Sequence, residues 1–152
     1  DTNIIMTLSG KGTGGVQVEG TGAADNSSAG YVGEFVTSHL NVASGVSLTT
    51  NTAADVTSIS LTAGDWDVFG NVFFTANTAT LYLGWSSLTS ATSPDNSFTS
   101  GTNGVVACSA AGVTVPPLRV SVGSTTTVYL SALATFSVTC TASGTLSARR
   151  RR

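Results

Sequence analysis

The strongest constraint in this chain is its hydropathy period. Apolar residues alternate with polar ones over short stretches, and clusters of Gly, Asn, Asp and Ser interrupt the alternation. No stretch keeps apolar residues at i, i+3, i+4 and i+7 over three turns, so no substantial helix is expected. Strands are read near residues 30–38, 44–50, 55–62, 65–76, 79–87, 104–109, 117–123, 125–137 and 139–148. Nine strands with short connections, and no helices to carry parallel crossovers, imply antiparallel pairing.

The clearest segment runs from Ile59 to Phe74. A turn at Ala63-Gly64 separates two strands, and Trp66, Val68, Val72 and Phe74 share one face, with Asp65, Asp67 and Asn71 opposite. Leu81, Leu83 and Trp85 form the expected core row of the next strand; Val128, Leu130, Ala132, Ala134 and Phe136 form that of a later one. Two such faces stacked about 10 Å apart make a sandwich. The outer rows carry large apolar groups as well. Phe69 and Phe73 sit in the Asp/Asn row, and Tyr129 and Leu133 lie opposite the Val128 row. Each is worth about 1.5–3 kcal/mol if buried. Packing about a three-fold axis would bury them, so these four are the expected trimer interface.

Composition fits self-assembly most simply, and protease-resistant extracellular life as a second explanation. Charged residues make up only 9% of the 152 residues, against about 25% for ordinary soluble domains. Ser and Thr together supply roughly 30%. A surface of hydroxyls has little net repulsion to keep copies apart. Four of the six cations are Arg149, Arg150, Arg151 and Arg152, which leaves Lys11 and Arg119 against eight acids and a body of formal charge −6. That body lacks the cationic groove a nucleic acid needs. The Arg tail has the charge to bind phosphate or lipid headgroups, but a short run of this kind reads first as solvated, or as a partner for neighbouring acids in a closed oligomer. No apolar run reaches the roughly 20 residues of a membrane span, and no secretory leader is evident. Position 1 is Asp, which suits a processed or excised chain. Cys108 and Cys140 are compatible with one disulfide or with two buried thiols.

Residues 1–22 stand apart. Ile4–Leu8 and Val16–Val18 flank a Gly-rich turn around Lys11, too short to form a sheet alone. The phosphate-loop pattern G-x-x-x-x-G-K-[ST] is absent. This piece is read as a junction to a stalk, and residues 23–152 as the domain proper. No catalytic or metal site is expected. Asp65 and Asp67 lie roughly 6.5–7 Å apart along one strand, the spacing of an inverting glycosidase pair, but an exposed strand face without a cleft favours a structural role. His39 is the only histidine and is expected at the surface or in an interface. Arg119 is expected to pair with Glu34, or with an Asp of the same or a neighbouring chain. Its sharper role is a fork that holds a small carboxylate-bearing ligand between protomers, with Glu34 beside it.

Four segments carry a family resemblance: Asn3–Gly20, Gly30-Tyr31-Val32-Gly33-Glu34, Ser58–Val68 and Leu146–Arg150. Together they resemble, in order along nearly the whole chain, the distal knob of a tail needle or tail fibre from short-tailed, Sf6-like bacteriophages. The Ala63-Gly64-Asp65-Trp66 turn is also similar to the jelly roll of tumour necrosis factor and C1q-type trimers. The resemblance implies an all-β, antiparallel jelly-roll homotrimer on a fibrous stalk at the virion tail tip. It implies contact with a host receptor or outer membrane, and no cofactor. It supplies no catalytic residues. The run of four arginines departs from the more mixed ending of such proteins. Two other readings fit the residues: a secreted or cell-surface trimeric binding module, and a carbohydrate-active enzyme or its accessory domain.

Overall fold

The computed structural model describes residues 25–93, 99–106 and 110–152. Residues 1–24, and with them the expected stalk junction, lie outside the described residues, as does Cys108. Among the described residues there are nine strands: β1 (Phe35–Leu40), β2 (Val46–Ser47), β3 (Ala54–Leu61), β4 (Gly64–Ala76), β5 (Ala79–Ser87), β6 (Thr99–Val106), β7 (Ala110–Val122), β8 (Thr126–Phe136) and β9 (Cys140–Arg150). A single 3₁₀ turn at Val42–Ser44, capped by the Asn41 side chain, is the one helical piece among the described residues.

Every pairing is antiparallel. One sheet has the order β1-β9-β4-β7, with β2 also on β9; the other has the order β3-β8-β5-β6. The chain passes back and forth between the sheets, which is the nested double Greek key of a jelly roll. The expected all-β, antiparallel jelly-roll sandwich without a substantial helix is what the described residues form.

The core follows from alternation. Trp66, Val68, Val72 and Phe74 of β4 face inward, as do Val128, Leu130, Ala132 and Ala134 of β8, and all are fully buried. Cys140, Ala142, Leu146 and Ala148 continue that layer on β9. Phe74 stacks on Tyr82 across the sheets with ring centroids 4.8 Å apart. A Cβ on Gly84 would meet Val72 at 3.0 Å, so the two sheets close tightly there.

β5 corrects the sequence reading. Leu81, Leu83 and Trp85 were expected to face the core, yet Tyr82 and Gly84 do so. A register shift between Ala79 and Leu81 explains the change. Ala79 points inward and is buried; the irregularity at Thr80 then reverses the parity of everything after it. Leu83 consequently lies over Gly101 on the outer face, opposite Leu133 in register. Trp85 is on that outer face too, buried beside Ser131. There Asp55 accepts from Ser131 Oγ, Ser90 Oγ and the Ala91 N–H, tying the 88–92 loop back to β3 and β8.

β7 is longer than expected. The sequence reading starts it at Pro117, since Pro116-Pro117 stiffens the entry to a strand and suits an edge or a turn. In the structure Pro116 and Pro117 fall within the strand, at a shift where Val68 pairs Leu118 and Gly70 pairs Val115. β7 ends its sheet, so an interrupted ladder there costs little.

Candidate functional site

All five arginines of the chain converge on one end of the sandwich, where β3 passes into β4 and β9 ends. Alternation along β9 sends Ala142, Leu146, Ala148 and then Arg150 to the inner face. Arg150 is therefore buried, at 4% exposure. Its guanidinium lies 4.3 Å from the Trp66 ring centroid. Nε donates to Glu34 Oε2 at 2.9 Å, Nη1 to the Ala63 carbonyl at 2.8 Å, and Nη2 to Thr62 Oγ1 at 2.5 Å. The Gly30 N–H donates to the same Glu34 oxygen at 2.7 Å.

Gly64 makes this possible. Its φ is +148°, and a Cβ there would collide with Arg150 Nη1. Only glycine combines that backbone with that neighbour. Burial pushes the Glu34 carboxyl up, but the Gly30 N–H, the Arg150 hydrogen bond and the Arg150 charge outweigh it, and the net direction is down.

The second carboxylate is Asp65, whose side chain is 5% exposed. Arg119 holds it with a fork, Nε to Oδ1 at 3.0 Å and Nη2 to Oδ2 at 2.6 Å. Arg152 Nε approaches Oδ2 at 3.1 Å, and Arg151 pairs with Asp67 at 3.4 Å. The Arg119 hydrogen bonds lower the Asp65 pKa; desolvation opposes them, and the charges of Arg119, Arg152 and Arg151 add to the lowering. Asp65 in turn raises the Arg119 pKa, first through the hydrogen bonds and then through charge. Asp65 is thus held as a carboxylate, the opposite of a glycosidase acid, which needs a raised pKa.

Arg119 and Glu34 are not brought together. Each is satisfied within the chain, Arg119 by Asp65 and Glu34 by Arg150. Of the Arg tail, Arg149, Arg151 and Arg152 are exposed, as a solvated end would be, and Arg150 alone is buried. The Arg151 N–H donates to the Asp65 carbonyl and the Asp65 N–H to the Arg152 carbonyl, so the tail runs alongside β4. Arg150 is the functional-site residue that sequence reasoning missed. The period-2 row Ala142, Leu146, Ala148 pointed to it, but a block of four like charges masked the parity.

A recess of about 300 Å³ opens between Arg119, Arg151, Arg152 and Asp65. An apolar groove of about 400 Å³ lies elsewhere on the outer face of the β1-β9-β4-β7 sheet, lined by Phe69, Val115, Pro117 and neighbouring Thr, Ser and Asn residues. Phe69 is 40% exposed there and packs at a tilt on Phe35, 6.2 Å between centroids. Phe73, on the same face, is half-buried; Tyr129 and Leu133 are half-buried on the opposite sheet's outer face. The four expected interface residues therefore divide between two faces. His39 is exposed on the Phe69 face and bonds through Nδ1 to Thr145 Oγ1 at 2.8 Å. Cys140 is a free, buried thiol whose pKa burial pushes up to about 11. Among the described residues no cluster of His, Cys, Asp and Glu is arranged to hold a metal. No helix of the described residues is long and apolar enough to cross a membrane.

No family model matches the chain. No curated protein matches it either. Among solved structures, the infectious bursal disease virus VP2 subviral particle is similar, with TM-score 0.43 and 15% identity over 77% of this chain and 30% of that one. The chain thus spans less than one third of the length of that protein.

Proposed function

We propose that this chain is a virion structural protein without enzymatic activity: the distal, homotrimeric knob of a phage tail needle or fibre. In this reading it sits at the tail tip on a stalk of the same chain, meets the host receptor or outer membrane, and assists genome delivery. The observation that carries the proposal is the Phe69 groove. A jelly roll with a complete core of its own still leaves Phe69, packed on Phe35, exposed in a groove whose other lining residues, Pro117 and Val115 among them, are uncharged. An exposed aromatic side chain in an uncharged groove is a surface that a second copy can cover. The occupant proposed is another copy of the chain. A closed three-fold ring uses two different patches on each subunit, which accommodates apolar residues on both outer faces.

The sequence likeness to tail needles and fibres and the scarcity of charge support the same reading. The test is mass in solution by light scattering. The expected value is three times the 15.2 kDa of one chain, falling to one chain in Phe69→Asp. A wild-type protein that stays monomeric at high concentration sinks the proposal.

A further inference from the structure

The recess at the arginine end has no part in the proposed assembly, yet it has the construction of a binding site. Three guanidiniums and one carboxylate line it. Those four side chains carry a formal charge of +2, and Asp67 behind Arg151 reduces it toward +1. A guanidinium has five N–H donors. Arg119 commits two donors to Asp65, while Nε of Arg151 lies 3.4 Å from Asp67 and Nε of Arg152 lies 3.1 Å from Asp65. The side chains of Arg151 and Arg152 are more than half exposed, so they keep N–H groups toward solvent.

The anchoring is on the buried side. Asp65 is almost closed off from solvent, while Arg119, Arg151 and Arg152 are more than half exposed. The acid therefore fixes the base of two guanidiniums, and backbone bonds from Arg151 and Arg152 to Asp65 fix the chain that bears the others. Donors held in this way meet an incoming anion at reduced entropic cost.

We infer that this recess binds a phosphate group, as a phosphomonoester or free phosphate, through Arg119, Arg151 and Arg152. A planar carboxylate offers two oxygens and suits one fork; a tetrahedral phosphate offers oxygens in several directions and suits three guanidiniums at once. Two sources share this chemistry: a soluble phosphate compound and a phosphorylated lipid headgroup. The Gly30–Glu34 turn, bonded to Arg150 at the same end of the sandwich, exposes Tyr31 and Val32, an apolar tip suited to a lipid surface. The inference stands independently of the virion reading.

The test is calorimetric titration of the whole chain with inorganic phosphate at neutral pH and about 0.15 M salt, where exposed charges are screened beyond about 8 Å. Expected is saturable binding that weakens at least about tenfold in Arg151→Ala/Arg152→Ala and that acetate does not compete away. Cosedimentation with phosphatidylcholine vesicles carrying phosphatidic acid, against phosphatidylcholine alone, separates the two sources. Binding in either arm that depends on the two arginines upholds the inference. Absence of binding in both arms overturns it. So does binding equally strong in the double variant, or acetate competing as well as phosphate. Thermal unfolding of the variant confirms that it is folded; if it is not, Arg152→Ala alone replaces it.

Discussion

Two arginine–carboxylate pairs stand at the same end of the molecule and differ in which partner is covered. In Arg150–Glu34 both side chains are buried, at 4% and 10% exposure; in Arg119–Asp65 the acid is buried and the arginine is 56% exposed. The first pair is closed. Its cation is consumed by Glu34, Ala63, Thr62 and the face of Trp66. Such a pair joins β1, the β3–β4 turn and β9, and its role is to hold the jelly roll shut. The second pair keeps donors toward water. The same chemistry becomes structural or receptive according to which side chain the fold covers, because solvent access decides whether unspent donors can find a ligand.

The largest expected effect comes from opening the closed pair. Arg150→Ala leaves Glu34 buried without its cation and uncovers Trp66. It is expected to cost about 3 kcal/mol, read from the shift of the urea unfolding midpoint. Arg150→Lys should recover only part of the loss, since an ammonium cannot reach Glu34, Ala63 and Thr62 together.

Acid should act next. Glu34 and Asp65 both have pKa values lowered in the folded state. A carboxylate of that kind stabilises the fold fully above its unfolded pKa, about 4. The contribution is lost as pH falls through the lower folded value. Unfolding midpoints should therefore hold above about pH 4 and drop as the pH falls below it. Glu34→Gln is expected to be less stable at pH 7 and to show a shallower acid decline. A parallel decline in wild type and variant would remove Glu34 from this account.

Arg119→Ala should be milder than Arg150→Ala in the same urea experiment, because Arg152 remains on Asp65 and the replaced side chain was mostly in water. Equal losses in the two variants would erase the distinction between a closed and a receptive pair. The smallest effect concerns Cys140. A buried thiol with a pKa near 11 stays protonated at neutral pH, so a thiol reagent should modify it only at the rate of unfolding.

Much of this was legible beforehand, for a physical reason. Period-2 alternation survives any arrangement of strands, so the inward rows of β4 and β8 could be read from Trp66 to Phe74 and from Val128 to Ala134. Where the alternation slips, legibility stops. Nothing local announces the irregularity at Thr80, and the row Leu81, Leu83 and Trp85 is more apolar than the row Tyr82, Gly84 and Ser86, so alternation alone points the wrong way. Only the pairing with β6 and β8 settles that Tyr82 turns in and Leu83 turns out. Pro116 and Pro117 suit the edge strand in which they lie, but whether they begin it or interrupt it depends on whether the neighbouring strand needs the missing N–H. The charge cluster was the least legible, because its members lie up to 118 residues apart, from Glu34 to Arg152.

The amino-acid sequence alone determined the all-β class, the antiparallel pairing and the inward rows of β4 and β8, because hydropathy period and turn residues act over a few positions. Tertiary structure alone decided which strand faces turn inward after a bulge. It also decided that Glu34 belongs to Arg150 and Asp65 to Arg119. Those pairings arise from sheet order, which sets residues distant along the chain side by side and then fixes how much water each of them keeps.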